Sequence, residues 1–175
     1  MDFSADHFSL FGLPQTFRLD DAGLDKRYRE IQAQVHPDRF ASAGDTERRL
    51  SLQNATRVNE AYQTLKKPLL RAQYLLGLAG HDLDTESNTA MPPEFLMEQM
   101  EWREAVAEAR LARDLDELEQ LHHRVKQRMN SRYEQLANLL DDQRKYAAAA
   151  DRLRRLMFLE KLLAEIDDAM AALEA

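Results

Sequence analysis

The chain has 175 residues, a formal charge of −7 and no cysteine, enough for one medium core or two small ones but with no means of forming a disulfide, a thiolate nucleophile, a Cys-ligated zinc or a Cys-held iron-sulfur cluster. An acidic total without a basic tract argues against nucleic-acid binding, whose phosphates require clustered Lys and Arg. Apolar runs too short for a membrane span, and an N-terminus without the order of a signal peptide, place the expected compartment in the cytoplasm, with no membrane partner.

Five Gly, five Pro and few β-branched residues among many Ala, Leu, Glu, Arg and Gln predict an all-α chain. Phe8, Leu10, Phe11 and Leu13 form a short apolar cluster that predicts a first helix capped by Ser4 and ended by Gly12 and Pro14. Asp20 and Asp21 then supply cap and first-turn carboxylates for a second helix whose apolar stripe is Leu24, Tyr28, Ile31 and Val35. Pro37 disfavours helical geometry at His36 and stops it there.

The segment from Asp38 to Asp45 reads as a loop ordered by Phe40. A third helix is expected from about Glu47, with Ala55, Val58, Tyr62 and Leu65 as its inner face and Pro68 as its end. Two helices of similar length with facing stripes and a short connection predict an antiparallel hairpin. Leu69 to Leu78 is one more short helix.

Gly77, Gly80, Asn88, Pro92 and Pro93 punctuate an aperiodic stretch, so the chain divides into a first domain at 1–77, a linker at 78–92 and a second domain at 93–175. Three helical blocks, about 93–112, 115–140 and 142–173, predict an antiparallel three-helix bundle. Asp114 and Glu117 are spaced like a capping box at the start of the middle block, whose stripe is Leu118, Leu121, Val125, Met129, Leu136 and Leu140. The last block carries Leu156, Leu159, Leu163, Ile166 and Met170.

The first block holds two apolar sets. Phe95, Trp102, Val106 and Ala109 fall within roughly 60° of one another on a helical projection and form the core face. Leu96, Met97 and Met100 lie roughly 100° to 200° from Phe95, beyond what one bundle core can bury. Either the first domain folds back over them, or the interdomain linker covers this helix face, or a partner protein does. Neighbouring Met side chains suit an adaptable protein-binding patch with Glu101, Arg103 and Glu104 as its polar rim. Phe158, roughly 100° off the stripe of the last block, joins the patch if the first and last bundle helices are neighbours.

His81, His122 and His123 lack a ligand partner at metal-binding spacing and read as surface residues. The acidic pairs Asp141-Asp142 and Asp167-Asp168 are explained by caps and solubility. No phosphate loop, nucleophile elbow or metalloprotease pair is present, so no catalytic residue, metal or cofactor is assigned.

His36-Pro37-Asp38, between a second helix bearing Lys26, Arg27 and Arg29 and a third helix of matching length, resembles the signature of J domains. The strings His7-Phe-Ser-Leu-Phe-Gly-Leu-Pro14, His36-Pro-Asp-Arg-Phe-Ala-Ser42, Asn59-Glu-Ala-Tyr62, Leu65-Lys-Lys-Pro-Leu-Leu-Arg-Ala-Gln-Tyr-Leu-Leu76 and Pro93-Glu-Phe-Leu-Met-Glu-Gln-Met-Glu-Trp-Arg-Glu104 resemble the HscB family, the J proteins dedicated to iron-sulfur cluster assembly. The resemblance implies a monomeric co-chaperone with no enzyme activity of its own. By it, His36, Pro37, Asp38, Arg39, Lys26, Arg27 and Arg29 dock on a DnaK-class ATPase of the HscA type, while Leu96, Met97, Met100, Glu101, Arg103, Glu104 and Phe158 bind a scaffold protein of the IscU type. A general J protein delivering unfolded clients to the main DnaK, or a helical homodimer joined through 96, 97 and 100, are the competing readings.

Overall fold

The computed structural model describes residues 1–83 and 91–175, so the central part of the expected linker at 78–92 lies outside the described residues. Among the described residues the chain is helical throughout and has no strand, and it divides into two compact units, Met1–Leu78 and Ala79–Ala175. None of these helices is long and apolar enough to cross a membrane.

In the first unit, helix α1 (His7–Leu10) is capped by Asp6, whose carboxylate accepts from the N–H groups of Phe8 and Ser9. Ser4, expected as the cap, lies too far upstream and bonds Asp2 instead. Phe8, Leu10 and Phe11 are buried, and Gly12 takes the left-handed turn (φ 64°) that ends the helix. Helices α2 (Asp21–Val35) and α3 (Asp45–Lys66) form the antiparallel hairpin, and α4 (Pro68–Leu78) closes it.

Leu24, Ile31 and Val35 of α2 meet Val58, Ala61 and Leu65 of α3 in the core. Ala55 and Tyr62, expected on the inner face of α3, are half-buried at its margin. Ser51 and Ala61 occupy the inner positions in their place. Tyr62 is needed at the edge because it works there as a polar group. Its ring stacks on Tyr28 at 3.9 Å, and its hydroxyl donates to Asp25 Oδ1 at 2.7 Å. Lys66 Nζ reaches both oxygens of Asp25 at 3.0 Å. Tyr28 in turn donates to Asn59 at 2.6 Å.

Hydrogen bonds from Tyr62 and then Lys66 hold the Asp25 carboxyl below the ordinary carboxylate range. A folded-state pKa depressed in this way adds stability above the unfolded value, about 3.9, that is lost as pH falls through the folded value. The thermal midpoint of the hairpin is therefore expected to drop below about pH 4. In Asp25→Asn that part of the acid limb should vanish, and an unchanged pH profile by circular dichroism would contradict the assignment.

The second unit is a three-helix bundle of α5 (Pro93–Leu111), α6 (Leu115–Ala137) and α7 (Tyr146–Glu174). Helices α6 and α7 share the most extensive pairing in the chain, through Leu118, Leu121, Val125, Met129 and Leu136 against Leu153, Leu156, Leu159, Leu162 and Ile166. Leu162 is buried where Leu163 was expected, because α7 faces both of its neighbours and its inner surface is broader than one stripe. Asp114 caps α6 through the Glu117 N–H at 3.1 Å, while the Glu117 side chain pairs with Arg124.

The last helix begins at 146 rather than 142. A π turn at Asn138–Asp142 ends α6, the N–H groups of Gln143 and Lys145 return to the carbonyls of Asn138 and Leu139, and Arg144 adopts φ 51°. This is the left-handed helix stop that glycine usually supplies.

Candidate functional site

His36-Pro37-Asp38 caps the corner of the hairpin. Pro37 is the first residue of a 3₁₀ turn, Pro37–Phe40, with its fixed φ suited to that position. The Asp38 N–H donates to His36 Nδ1 at 3.2 Å, so the corner is closed locally.

The corner is also tied to the rest of the unit. The final carbonyls of α2 have no partner within the helix. Ser51 Oγ, buried on α3, donates to the carbonyl of Val35 at 2.8 Å, and Arg39 reaches back to that of Ala33 at 3.4 Å. Ser51→Ala leaves a buried carbonyl unsatisfied and should cost about 1–3 kcal/mol. Urea unfolding of the full chain checks this, and a midpoint equal to that of the parent would contradict it.

The Asp38 side chain is 94% exposed and that of His36 50%. Lys26, Arg27 and Arg29 are exposed on α2. The Arg27 guanidinium lies across Gly12, with only 2.7 Å to where a Cβ would stand, so a side chain at 12 would displace it. Arg29 acts electrostatically on Asp25. The three cations thus lie on α2 in unequal surroundings, seven to ten residues before His36, while the Asp38 carboxylate projects from the corner itself.

On α5, Leu96, Met97 and Met100 are 46%, 62% and 71% exposed. Phe95, Val106 and Ala109 are buried on the inner face and Trp102 is half-buried. Glu101 and Glu104 are exposed beside the trio. Arg103 is committed within the bundle, donating from Nη1 to both oxygens of Glu165 at 3.2 Å and lying 5.3 Å over the ring of Phe158.

Phe158 is not on the open patch. It is buried, edge-on to Phe95 with ring centroids 5.9 Å apart and covered by Arg103. The helical offset correctly separates it from the α6-facing stripe of α7, but α5 rather than solvent occupies that side.

Residues the sequence reading passed over hold α5 in place. Glu98 accepts from Arg132 through both oxygens, at 2.9 and 2.8 Å, and pairs with Arg128 at 3.3 Å. Arg132 is buried and stands on the inner stripe of α6 between Met129 and Leu136. A charge at a core position was the available signal. His122 pairs with Asp167 at 3.0 Å across α6 and α7, and no three metal-binding side chains gather among the described residues.

Residues 91–167 match the family described as "HSCB C-terminal oligomerisation domain". The chain is 58% identical to "Co-chaperone protein HscB homolog" of Azoarcus sp. strain BH72 over 99% of this chain and 98% of the relative. The counterpart from Aromatoleum aromaticum is 56% identical over the same shares. Among solved structures, the chaperone HscB of Vibrio cholerae is 39% identical with a TM-score of 0.85, covering 97% of this chain and 99% of that one. The human co-chaperone HscB is 31% identical with a TM-score of 0.89, covering 95% and 83%.

Proposed function

Because the chain belongs to the HscB family of co-chaperones, we propose that it is an adaptor bringing an iron-sulfur scaffold protein of the IscU type to a DnaK-class chaperone of the HscA type. It raises the ATPase turnover of that chaperone and so assists maturation of iron-sulfur proteins. The cluster is cargo carried on the scaffold. The adaptor works in the cytoplasm, as a single copy, and contributes no catalytic group.

The observation carrying this reading is the placement of two chemically unlike exposed sites on separate units. Asp38 projects from the hairpin corner on the first, and Leu96, Met97 and Met100 stand open on the second. An exposed carboxylate on a corner already ordered by Ser51 can accept charge-assisted hydrogen bonds from a partner Arg with little loss of freedom. Lys26, Arg27, Arg29 and Arg39 steer an acidic surface toward it. The apolar trio, rimmed by Glu101 and Glu104, fits a folded partner with an apolar patch, and Arg103 and Phe158 brace the helix behind it.

Reconstitution tests the function. Adding the purified chain to an HscA-type chaperone should raise steady-state ATP hydrolysis, and an IscU-type scaffold should raise it further only when the chain is present. A hydrolysis rate indifferent to the chain would refute the reading.

A further inference from the structure

Helix α5 buries few apolar side chains, and much of its seating is polar or aromatic, as where Arg103 pairs with Glu165 and Phe95 meets Phe158 edge-on. Of its 19 residues only Phe95, Val106 and Ala109 are buried. Phe95 and Val106 are eleven residues apart, about 16 Å along the axis, and the stretch between them carries Met97 and Met100 but no fully buried apolar side chain. On apolar character alone the helix has a competing seating. Leu96, Met97, Met100 and Leu111, the last 87% exposed, form a second apolar face that a rotated helix would turn toward the bundle.

The side facing α6 is instead polar. Both Glu98 oxygens take Arg132, Arg128 approaches one of them, and Trp102 Nε1 lies 3.5 Å from the same oxygen. The Arg132 side chain is only 7% exposed and that of Glu98 19%. Around α5, Glu98 stands roughly 160° from Met100. Any rotation turning the Met residues inward would carry the carboxylate into water and strand a buried guanidinium, which is strongly unfavourable.

We propose that Glu98 is a positioning residue for the docking face: its clamp on Arg132 fixes the rotation of α5 that keeps Leu96, Met97 and Met100 open to the partner. This rests on the reading of that face as the scaffold-binding site. The ion pair here selects one packing over another rather than adding net stability, the role for which buried polar pairs are best attested.

The test uses the full chain, with Glu98→Gln and Arg132→Met as independent variants and Met100→Ala as the probe of the face. Trp102 is the sole tryptophan, so acrylamide quenching of its emission reports the seating of α5. Both clamp variants should keep parental helicity at the assay temperature yet show greater Trp102 quenching. Their Kd for a purified IscU-type scaffold, by calorimetry, should rise roughly five- to ten-fold, within the range seen for coupled contacts. In the Met100→Ala background the further rise should be smaller, since part of the face they position is gone.

Parental affinity in both clamp variants, with Met100→Ala weakened, would overturn the positioning role and leave the docking reading intact. The same fold-loss with and without Met100 would also overturn it, because Glu98 would then act independently of the face. Parental affinity in Met100→Ala would count against the docking reading, and the proposal would fall with it.

Discussion

Asp38→Asn is expected to lower stimulation of the chaperone ATPase by roughly 30-fold or more, the loss associated with truncating one partner of a buried charge pair at an interface, while affinity for the scaffold stays at the parental value. The substitution keeps the shape of the side chain and removes its charge. The carboxylate is 94% exposed, lying 3.6 Å from His36 Nδ1, and the hydrogen bond at the corner is donated by the backbone N–H of Asp38. Folding stability should therefore change by no more than about 0.5 kcal/mol. Single-turnover ATP hydrolysis and scaffold calorimetry, run on one preparation, separate the effects. Parental stimulation would remove Asp38 from the docking surface.

The complementary variant, Leu96→Ala with Met97→Ala and Met100→Ala, should raise the Kd for the scaffold by about 100-fold or more, given 1–3 kcal/mol for each well-packed apolar side chain desolvated at an interface. ATPase stimulation by the chain alone should persist. All three side chains are already open to solvent, so the melting temperature should stay within a few degrees of the parent. An equal loss of affinity for an unfolded peptide would instead favour a general client-binding surface. A change in sedimenting mass of the isolated chain would favour a homodimer through this face.

The hairpin was legible because apolar spacing and proline positions act locally. The stripe of Leu24, Ile31 and Val35 and the stop at Pro37 need no knowledge of the rest of the fold. The two-sided apolar pattern of α5 was legible for the same reason, since Phe95 and Met97 cannot share one face.

What escaped depended on neighbours. Tyr62 reads as a core residue until Asp25 and Lys66 are brought beside its hydroxyl. Phe158 reads as part of the α5 patch once α5 and α7 are neighbours, but helical offset does not tell which side of α5 its ring meets, and it is buried edge-on against Phe95. Arg132 stands out as a charge on the inner stripe of α6, but nothing local names Glu98 on α5 as its partner, and only the tertiary pairing turns the two into a clamp. The start of α7 was missed because Arg144 adopts a left-handed conformation that carries no glycine to announce it.

The proposed docking sites lie in two units and differ in their physics. The corner at Asp38 is ordered by Ser51 and presents charge. The face on α5 presents apolar area. In the proposed reading each unit takes its own partner, which is the condition for holding two partners at once.

Sedimentation of the chain mixed with an ATP-bound HscA-type chaperone and an IscU-type scaffold tests that condition most directly. The expected result is one complex containing a single copy of each protein, reduced by Asp38→Asn to the scaffold pair and by the 96/97/100 alanine variant to the chaperone pair. Mutual exclusion of the two partners, or loss of both from either variant, would contradict it.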